Sequence, residues 1–308
     1  IVGGIMLTDI QIKELQSGAY GTTIRDALLS KYTTFHIGGP ADFIVEPTSE
    51  EEILRTVKYL KSEDIPFYIL GNGSNILVKD GGFRGVIIHL GKNYSDCFVE
   101  GNIVRAQSGA LLSSVAKLSF KTELSGMEEV SGIPGTVGGA VVMNAGAYNG
   151  EMKNVVKEVK AINKDNNIVT LKNEECDFAY RTSRIMKENL IVLEVVFELV
   201  KGNASEINEK YGDYSMRRKT KQPLEKHSAG STFKRPEKGY ASKLIDEAGL
   251  RGYAVNDAKI SDKHCGFLIN DGNATAEDVL NLISDVQKKV YDEFSIQLEP
   301  EVRIIGED

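Results

Sequence analysis

A glycine-rich stretch at residues 131–148 constrains this chain more than any other feature. Its glycines alternate with small apolar residues and one proline, and none of its side chains is charged. Glycine lacks the Cβ that keeps a backbone away from a ligand, and turns of this kind can aim successive N–H groups at one anion. A second such turn, at residues 71–75, directly follows the apolar run at 67–70. Either turn alone is typical of a tight barrel corner, but the pair predicts a site for an extended phosphorylated ligand such as a dinucleotide.

Neither turn matches a common nucleotide-binding fingerprint. The chain contains no G-x-x-x-x-G-K-[ST] motif, which excludes a P-loop. The Gly71-Asn-Gly-Ser-Asn75 turn lacks the third glycine of G-x-G-x-x-G and the acidic residue that follows it in a Rossmann unit.

Composition and charge exclude several classes of protein. The chain has 308 residues and a formal net charge of -7, which argues against a nucleic-acid surface. No apolar run is long enough to span a membrane, and no signal peptide is recognisable. The three cysteines, Cys97, Cys176 and Cys265, are odd in number and far apart, and with the scattered histidines they show no metal-ligand spacing. We therefore expect a cytoplasmic protein that binds no metal, no membrane and no nucleic acid.

Hydrophobic periodicity predicts mixed helices and strands, and a change of composition near residues 201–203 divides the chain into two main domains. Residues 1–25 form an N-terminal segment, in which Met6 is the expected natural start, and residues 26–202 form a first domain with subdomains at about 26–90 and 91–202. Helices are predicted after a capping box at Ser49–Glu52 and near residues 111–120, and a hairpin is predicted around residues 165–167. Residues 203–308 form the second domain, with helices over 204–219, 240–248 and 275–294 and a closing strand near 301–305.

Basic residues concentrate in one part of this acidic chain, at residues 217–221 and at Lys234 and Arg235. Such a run commonly complements the dipole at a helix C-terminus, but it can also bind phosphate through charge-assisted hydrogen bonds. The residue patterns alone therefore predict a soluble α/β protein that binds an anionic, nucleotide-like ligand.

Seven segments, in this order and spacing, resemble the UDP-N-acetylenolpyruvoylglucosamine reductases, the FAD- and NADPH-dependent enzymes of peptidoglycan precursor synthesis. The resemblance covers residues 31–306 and is carried by Thr33-Thr-Phe-His-Ile-Gly-Gly-Pro-Ala-Asp42, Leu70-Gly-Asn-Gly-Ser-Asn75, residues 131–148, Tyr180-Arg-Thr-Ser183, Lys221-Gln-Pro223, Ala229-Gly-Ser-Thr-Phe233 and Leu298-Glu-Pro-Glu-Val-Arg-Ile-Ile-Gly306.

This resemblance implies an FAD-binding domain of the vanillyl-alcohol-oxidase type, followed by a C-terminal α+β domain that binds a UDP-sugar. It further implies that FAD is held non-covalently and is reduced by NADPH. The reduced flavin then passes hydride to the enolpyruvyl group of UDP-N-acetylglucosamine enolpyruvate, giving UDP-N-acetylmuramate.

The resemblance also implies roles for individual residues. Ser231 corresponds to the proton donor, and Arg181 and Glu301 correspond to the pair that stabilises the intermediate. The residues implied in flavin binding are Gly71, Asn72, Gly73, Ser74, Asn75, Gly132, Ile133, Pro134, Gly135, Thr136, Gly138, Gly139, Asn144 and Ala145. The residues implied in substrate binding are Arg218, Lys221, Arg235 and Arg303.

Two departures and two alternatives accompany this interpretation. The interval between Val200 and Arg217 is too short for the inserted loop whose tyrosine clamps the UDP group in part of the family, and Asn256-Asp257 replaces an expected glycine pair. One alternative is an oxidase of the same flavin fold that acts on an alcohol or phenol, but the basic run disfavours it. The other is a nucleotide-binding protein without catalysis, which the presence of Arg181, Ser231 and Glu301 disfavours.

Overall fold

The computed structural model describes residues 7–308, so the expectation for the start of the chain before Met6 lies outside the described residues. The α-helices are α1 Asp9–Leu15, α2 Glu50–Ser62, α3 Leu112–Lys121, α4 Val137–Val142, α5 Arg184–Lys187, α6 Ala204–Lys221, α7 Ala241–Glu247 and α8 Ala276–Phe294. Short 3-10 helices lie at Leu29–Tyr32, Lys92–Tyr94, Met152–Asn154 and Asn173–Cys176. Within residues 7–308, no helix combines the length and the apolar character needed to cross a membrane.

The strands are short and form several sheets. They are β1 Thr22–Leu28, β2 Pro40–Glu46, β3 Phe67–Leu70, β4 Ile76–Val78, β5 Phe83–His89, β6 Cys97–Glu100, β7 Ile103–Gln107, β8 Leu124–Ser125, β9 Gly146–Ala147, β10 Gly150–Glu151, β11 Val156–Ile162, β12 Ile168–Lys172, β13 Ile191–Glu198, β14 Val200–Lys201, β15 His227–Ser231, β16 Ala254–Val255, β17 Ala258–Ile260, β18 Phe267–Asn270 and β19 Arg303–Ile305.

The first sheet has the order β1-β2-β5-β3, with β2 and β3 both parallel to β5. Helix α2 covers it with the buried residues Ile53, Val57 and Leu60. The Ser49 hydroxyl accepts a hydrogen bond from the Glu52 N–H, as predicted, but the capping box is wrong. A capping box requires the Glu52 carboxylate to accept the Ser49 N–H, but this carboxylate accepts the Thr48 N–H instead.

The second sheet has the order β12-β11-β13-β7-β6 and is antiparallel throughout. The predicted hairpin is confirmed as β11 and β12, joined by a turn in which Asn166 has a φ of +61°. Helix α4 packs on β13 and arises inside the glycine-rich stretch, where the sequence predicted only a loop. The Thr136 side chain begins this helix by accepting the Gly139 N–H, and this local hydrogen bond offsets the low helix propensity of glycine.

The third sheet has the order β15-β18-β17-β16 and packs against helices α7 and α8. The predicted helix over 275–294 is confirmed as α8, and Thr275 and Asp278 form the expected capping box at its start. Its predicted apolar stripe is buried from Val279 to Val290, so it belongs to the core of the third sheet.

The sequence predicted that the last strand closes the C-terminal domain, and this prediction is wrong. Strand β19 instead pairs in parallel with β4, which lies more than two hundred residues earlier in the chain. A second link lies nearby, where the Asp80 carboxylate accepts the N–H groups of Ala276 and Glu277 at the start of α8. Pairing preferences between distant short strands leave no local signal in the sequence, so this connection could not be read from periodicity.

Candidate active site between the two glycine loops and the third sheet

A cavity of about 690 Å³ lies between the two glycine-rich turns, within the range of cofactor sites. We call it the glycine-loop cavity. Its polar wall comes from residues 71–75 and 135–139, and apolar side chains that include Phe67, Ile69 and Ile133 provide surfaces for flat rings. Polar backbone beside apolar walls suits a ligand with both phosphates and aromatic rings.

The turn at residues 71–75 requires glycine at its centre. Gly73 has a φ of +60°, and a Cβ built on it would lie 2.2 Å from the Tyr32 carbonyl oxygen. Any other residue would therefore combine a left-handed backbone with a collision against fixed main chain. The turn is held this tightly against residues 32–34, where Thr34 donates its N–H to the Gly73 carbonyl at 3.2 Å.

One buried hydroxyl supports the fit to a cofactor. The Ser108 Oγ atom lines the glycine-loop cavity and has no hydrogen-bond partner among residues 7–308. An unpaired buried hydroxyl costs about 1–3 kcal/mol, so a polar ligand that bonds it would be stabilised. The residues present therefore fit FAD, which would place its phosphates against the two turns.

Most of the residues predicted to bind flavin lie together in this wall. Those that line the cavity are Gly71, Asn72, Gly73, Ser74, Asn75, Ile133, Gly135, Thr136, Gly138, Gly139 and Ala145. Gly132, Pro134 and Asn144 do not line it.

Two of these three residues have other contacts. A Cβ on Gly132 would lie 2.6 Å from the Arg218 Cδ atom, so this glycine makes room for an arginine. Asn144 is buried and donates from Nδ2 to Glu151 and to the Ala179 carbonyl, next to the turn that carries Arg181.

A second pocket of about 480 Å³ brings together the residues predicted to be catalytic. We call it the arginine pocket, because Arg181, Arg218 and Arg235 line it with Ser231 and Glu301. Asn75 joins the two sites, since it lines the glycine-loop cavity and donates from Nδ2 to the Glu301 carbonyl at 3.2 Å. A ligand in the arginine pocket would therefore lie next to a cofactor in the cavity.

Ser231 reaches this pocket through a β-bulge in β15. The pairing of β15 with β18 shifts between Ser228 and Ser231, and Gly230, with a φ of +75°, provides the bend. Bulges of this kind redirect side chains. The following residue, Thr232, accepts the Glu301 N–H at 2.7 Å, so Ser231 and Glu301 are held on adjacent segments.

Arg181 and Glu301 form an ion pair in the pocket, with Nε and Oε1 2.8 Å apart. Burial raises the pKa of the Glu301 carboxyl above its usual range, and Arg181 and Lys234 oppose this rise. Arg181 has a left-handed φ of +54° in a tight turn closed by hydrogen bonds between Ala179 and Thr182. Strained backbone of this kind is maintained only where surrounding structure fixes it, often at functional sites.

Arg218 and Arg235 supply positive charge that no protein carboxylate neutralises within residues 7–308. Burial lowers the pKa of the Arg218 guanidinium, which nevertheless stays charged. The Arg235 guanidinium lies 4.2 Å from the centroid of the Tyr240 ring, and its backbone N–H donates to the Tyr180 hydroxyl. Two such cations in one pocket are suited to bind a phosphorylated ligand.

The other two predicted substrate residues lie elsewhere. Lys221 is exposed at the end of α6 and does not line the arginine pocket, whereas its neighbour Gln222 does. The Gln222 Oε1 atom is buried and has no partner among the described residues. Arg303 lines the glycine-loop cavity instead, where its N–H donates to the Asn75 carbonyl at 3.0 Å.

Sequence reasoning missed several residues of the arginine pocket, including Tyr148, Gln222, Tyr240 and His264. His264 lies edge-on to Phe267, which is the register partner of Ser231, and burial lowers the pKa of its imidazole. Isolated aromatic and histidine residues carry no spacing signal, so only the fold could place them here. Among residues 7–308 no group of three or more potential metal ligands occurs.

Comparisons with known proteins agree with this geometry. Residues 41–172 match the family described as FAD binding domain, and residues 222–305 match the C-terminal domain of UDP-N-acetylenolpyruvoylglucosamine reductase. Relatives of that name from Clostridioides difficile (strain 630) and Caldanaerobacter subterraneus subsp. tengcongensis are each 50% identical to this chain. The matches cover 92% and 91% of this chain and 93% and 92% of the relatives.

A solved structure of the same name also matches this chain over most of its length. The crystal structure of UDP-N-acetylenolpyruvylglucosamine reductase from Thermus caldophilus superposes with a TM-score of 0.79 at 35% identity, covering 92% of this chain and 98% of that chain. The predicted fold class is confirmed: an FAD-binding domain of the vanillyl-alcohol-oxidase type precedes a C-terminal α+β domain. The exact domain boundaries at residues 25, 90 and 202 stay a prediction.

Proposed function

Since this chain belongs to the UDP-N-acetylenolpyruvoylglucosamine reductase family, we propose that it reduces the enolpyruvyl group of UDP-N-acetylglucosamine enolpyruvate with NADPH. The observation that carries the proposal is the arginine pocket, where Ser231, Arg181 and Glu301 converge beside a cavity that fits FAD. The product is UDP-N-acetylmuramate, a precursor of peptidoglycan. The three cysteines are free, which suits the reducing cytoplasm as the location.

The reaction adds one hydride and one proton across the enolpyruvyl double bond. FAD, when bound, supplies the hydride that it receives from NADPH, which leaves as NADP⁺. Hydride joins the methylene carbon and the electron pair of the double bond moves onto the carbon that bears the carboxylate. Ser231 donates the proton to that carbon, which completes the saturated lactyl group. Because Ser231 is exposed, its alkoxide takes a proton back from solvent water.

Arg181 stabilises the negative charge that develops during this step. As the electron pair moves toward the substrate carboxylate, charge accumulates on its oxygens, and a preorganised arginine is most effective against such charge. Glu301 holds the Arg181 guanidinium through the 2.8 Å contact at Nε, and the Gly146 carbonyl accepts one N–H from Nη2 at 3.2 Å. The other N–H groups of the guanidinium face no such partner and are left for the substrate. A hydroxyl is a weak acid in water, so Ser231 can serve only because the carbanion is strongly basic.

The diphosphate of the substrate is bound by the free cations of the arginine pocket. Arg218 is half-buried and lies against Gly132, and Arg235 is stacked on Tyr240. We assign these two arginines to phosphate contacts. Lys221 and Arg303 remain candidates for substrate binding outside the pocket wall.

The proposal is tested by anaerobic spectroscopy on the purified protein. We expect a yellow protein whose visible flavin absorbance bleaches with NADPH and returns on addition of UDP-N-acetylglucosamine enolpyruvate. Return of the absorbance only with O₂, combined with bleaching by an alcohol or phenol, would identify the alternative oxidase. Flavin that NADPH does not reduce would instead identify a binding protein without catalysis.

We expect FAD to be released intact by acid precipitation, because no histidine ring or cysteine thiol that could bond the flavin lines the glycine-loop cavity among residues 7–308. The supernatant is assayed for flavin by absorbance and the pellet by fluorescence. Flavin that stays in the washed pellet would contradict non-covalent binding.

Arg218→Met is expected to raise the KM for the UDP-sugar about ten- to a hundred-fold, because a hydrogen bond to a charged group is worth about 1.5–3 kcal/mol. Steady-state kinetics at fixed ionic strength measures this effect. Lys221→Met, on the exposed helix end, and Lys210→Ala, further up α6, are the matched variants. An effect at Lys221 as large as at Arg218 would place Lys221 in the phosphate site, and three small effects would move that site elsewhere.

A further inference from the structure

One contact at the cavity is not explained by the proposed reaction. The Lys61 amino group, in the last turn of α2, donates to the Lys164 carbonyl at 3.0 Å and to the Asn166 Oδ1 atom at 2.8 Å. Both acceptors belong to residues 163–167, the turn between β11 and β12. We call this turn the hairpin turn. Lys61 and Lys164 both line the glycine-loop cavity, so this contact joins the first and second sheets at the edge of the cofactor site.

The contact lies at the end of the cavity remote from the arginine pocket. Strand β3 runs along the cavity wall from Phe67, which follows α2 closely, to Leu70, where the glycine turn begins. Asn75, beyond that turn, marks the end that touches the arginine pocket. A dinucleotide that places its reactive ring near Asn75 therefore extends its other half toward Lys61.

Lys61 is well suited to hold the hairpin turn in place. Its amino group is partly buried, and burial lowers its pKa, while the nearby Asp165 opposes this change. Charge-assisted hydrogen bonds are about twice as strong as neutral ones. Asn166 can present its side chain to Lys61 because its φ of +61° is a conformation that asparagine tolerates better than most residues.

A second contact between helix α2 and the β11–β12 hairpin provides a comparison. Lys160 of β11 forms an ion pair with Glu50 at the other end of α2, with Nζ and Oε2 2.6 Å apart. Neither Lys160 nor Glu50 lines the cavity. Both links hold the hairpin against α2, but only Lys61 does so at the cavity.

We propose that Lys61 and the hairpin turn form a latch that closes the outer end of the glycine-loop cavity and limits the rate at which FAD leaves. This inference rests on FAD binding and not on the reaction assigned to Ser231. The latch acts on the cofactor through closure of the cavity, so it has little influence on catalysis when FAD is saturating.

The test compares FAD release from Lys61→Met, Asn166→Gly and Lys160→Met with release from the unaltered protein. Holoprotein is diluted below its Kd for FAD, and the rise of flavin fluorescence gives the release rate. We expect release to accelerate about ten- to a hundred-fold in Lys61→Met, as follows from loss of hydrogen bonds to a charged group. Asn166→Gly keeps the backbone conformation and removes one acceptor, so we expect a smaller acceleration.

The control variant distinguishes closure of the cavity from a general weakening of the contact between α2 and the hairpin. Lys160→Met should leave the release rate within about two-fold of the unaltered protein, since the ion pair that it removes does not line the cavity. Equal acceleration by Lys61→Met and Lys160→Met, or unchanged release in Lys61→Met, would overturn the proposal. If Lys61→Met does not fold, Asn166→Gly decides, and unchanged release there would also overturn it. If the variants release FAD as expected but the unaltered protein fails the reductase assay, only the proposed reaction is refuted and the latch proposal stands.

Discussion

Ser231→Ala should leave the reduction of flavin by NADPH nearly unchanged and slow the reoxidation of reduced flavin by the UDP-sugar about 10²–10⁴-fold. The hydroxyl is assigned to protonation, which follows flavin reduction, and loss of a general acid typically costs this much in rate. Stopped-flow absorbance under anaerobic conditions measures the two half-reactions separately. The bulge at Gly230 places this hydroxyl in the arginine pocket. The substitution removes one oxygen and leaves Gly230, which forms the bend, unchanged.

Ser242→Ala is the matched control, because Ser242 lines the same pocket and has no assigned role. Its two half-reactions should both proceed at nearly the unaltered rate. Normal reoxidation in Ser231→Ala would show that this serine is a turn residue, and the proton donor would have to be sought among the other residues of the pocket.

Arg181→Met should slow the same second half-reaction about 10²–10³-fold, as expected when one preorganised group that stabilises developing charge is lost. Methionine keeps the long side chain and removes the cation beside Glu301. Reduction of the flavin by NADPH should change much less. A similar loss in both half-reactions would mean that Arg181 orders the pocket and does not act on the developing carboxylate charge.

The same variant should raise the pKa of the Glu301 carboxyl. Arg181 lowers the pKa of the Glu301 carboxyl, against the burial that raises it, so removal of Arg181 raises this pKa further. A carboxyl with a higher pKa becomes protonated at a higher pH, so its titration should move to higher pH when it is followed by infrared difference spectra against Glu301→Gln. Lys234→Met is the control, since Lys234 is the weaker of the two cations that act on Glu301 and should produce a smaller shift in the same direction.

Local patterns in the sequence predicted single elements better than they predicted the path of the chain. Two glycine-rich turns, each beside a strand, were expected to share one ligand, and residues 71–75 and 135–139 do lie in one cavity wall. The long helix α8 was also predictable, since its capping box and apolar stripe are local patterns. The pairing of β19 with β4 was not, because it joins two three-residue strands that are distant in sequence.

The basic run shows where local pattern fails. Arg217, Arg218 and Lys221 are neighbours in sequence, but a helix turns successive residues through about 100°. This turn separates Arg218, which points into the pocket beside Gly132, from Arg217, which pairs with Asp213. Lys221 is exposed because it is the last residue of the helix. Sequence could place positive charge near the ligand but could not say which side chain faces it, since that depends on which face of α6 packs against the first domain.

The parallel pairing of β19 with β4 has a consequence for how the cofactor is acquired during synthesis. Arg303, in β19, is part of the cavity wall, and Glu301 lies two residues before it. Domains fold in order from the N-terminus as the chain emerges from the ribosome, but this cavity needs a strand from the last few residues. The FAD-binding half can therefore fold early and still present an incomplete wall. We therefore expect a chain that stops before β19 to bind FAD less tightly than one that includes this strand.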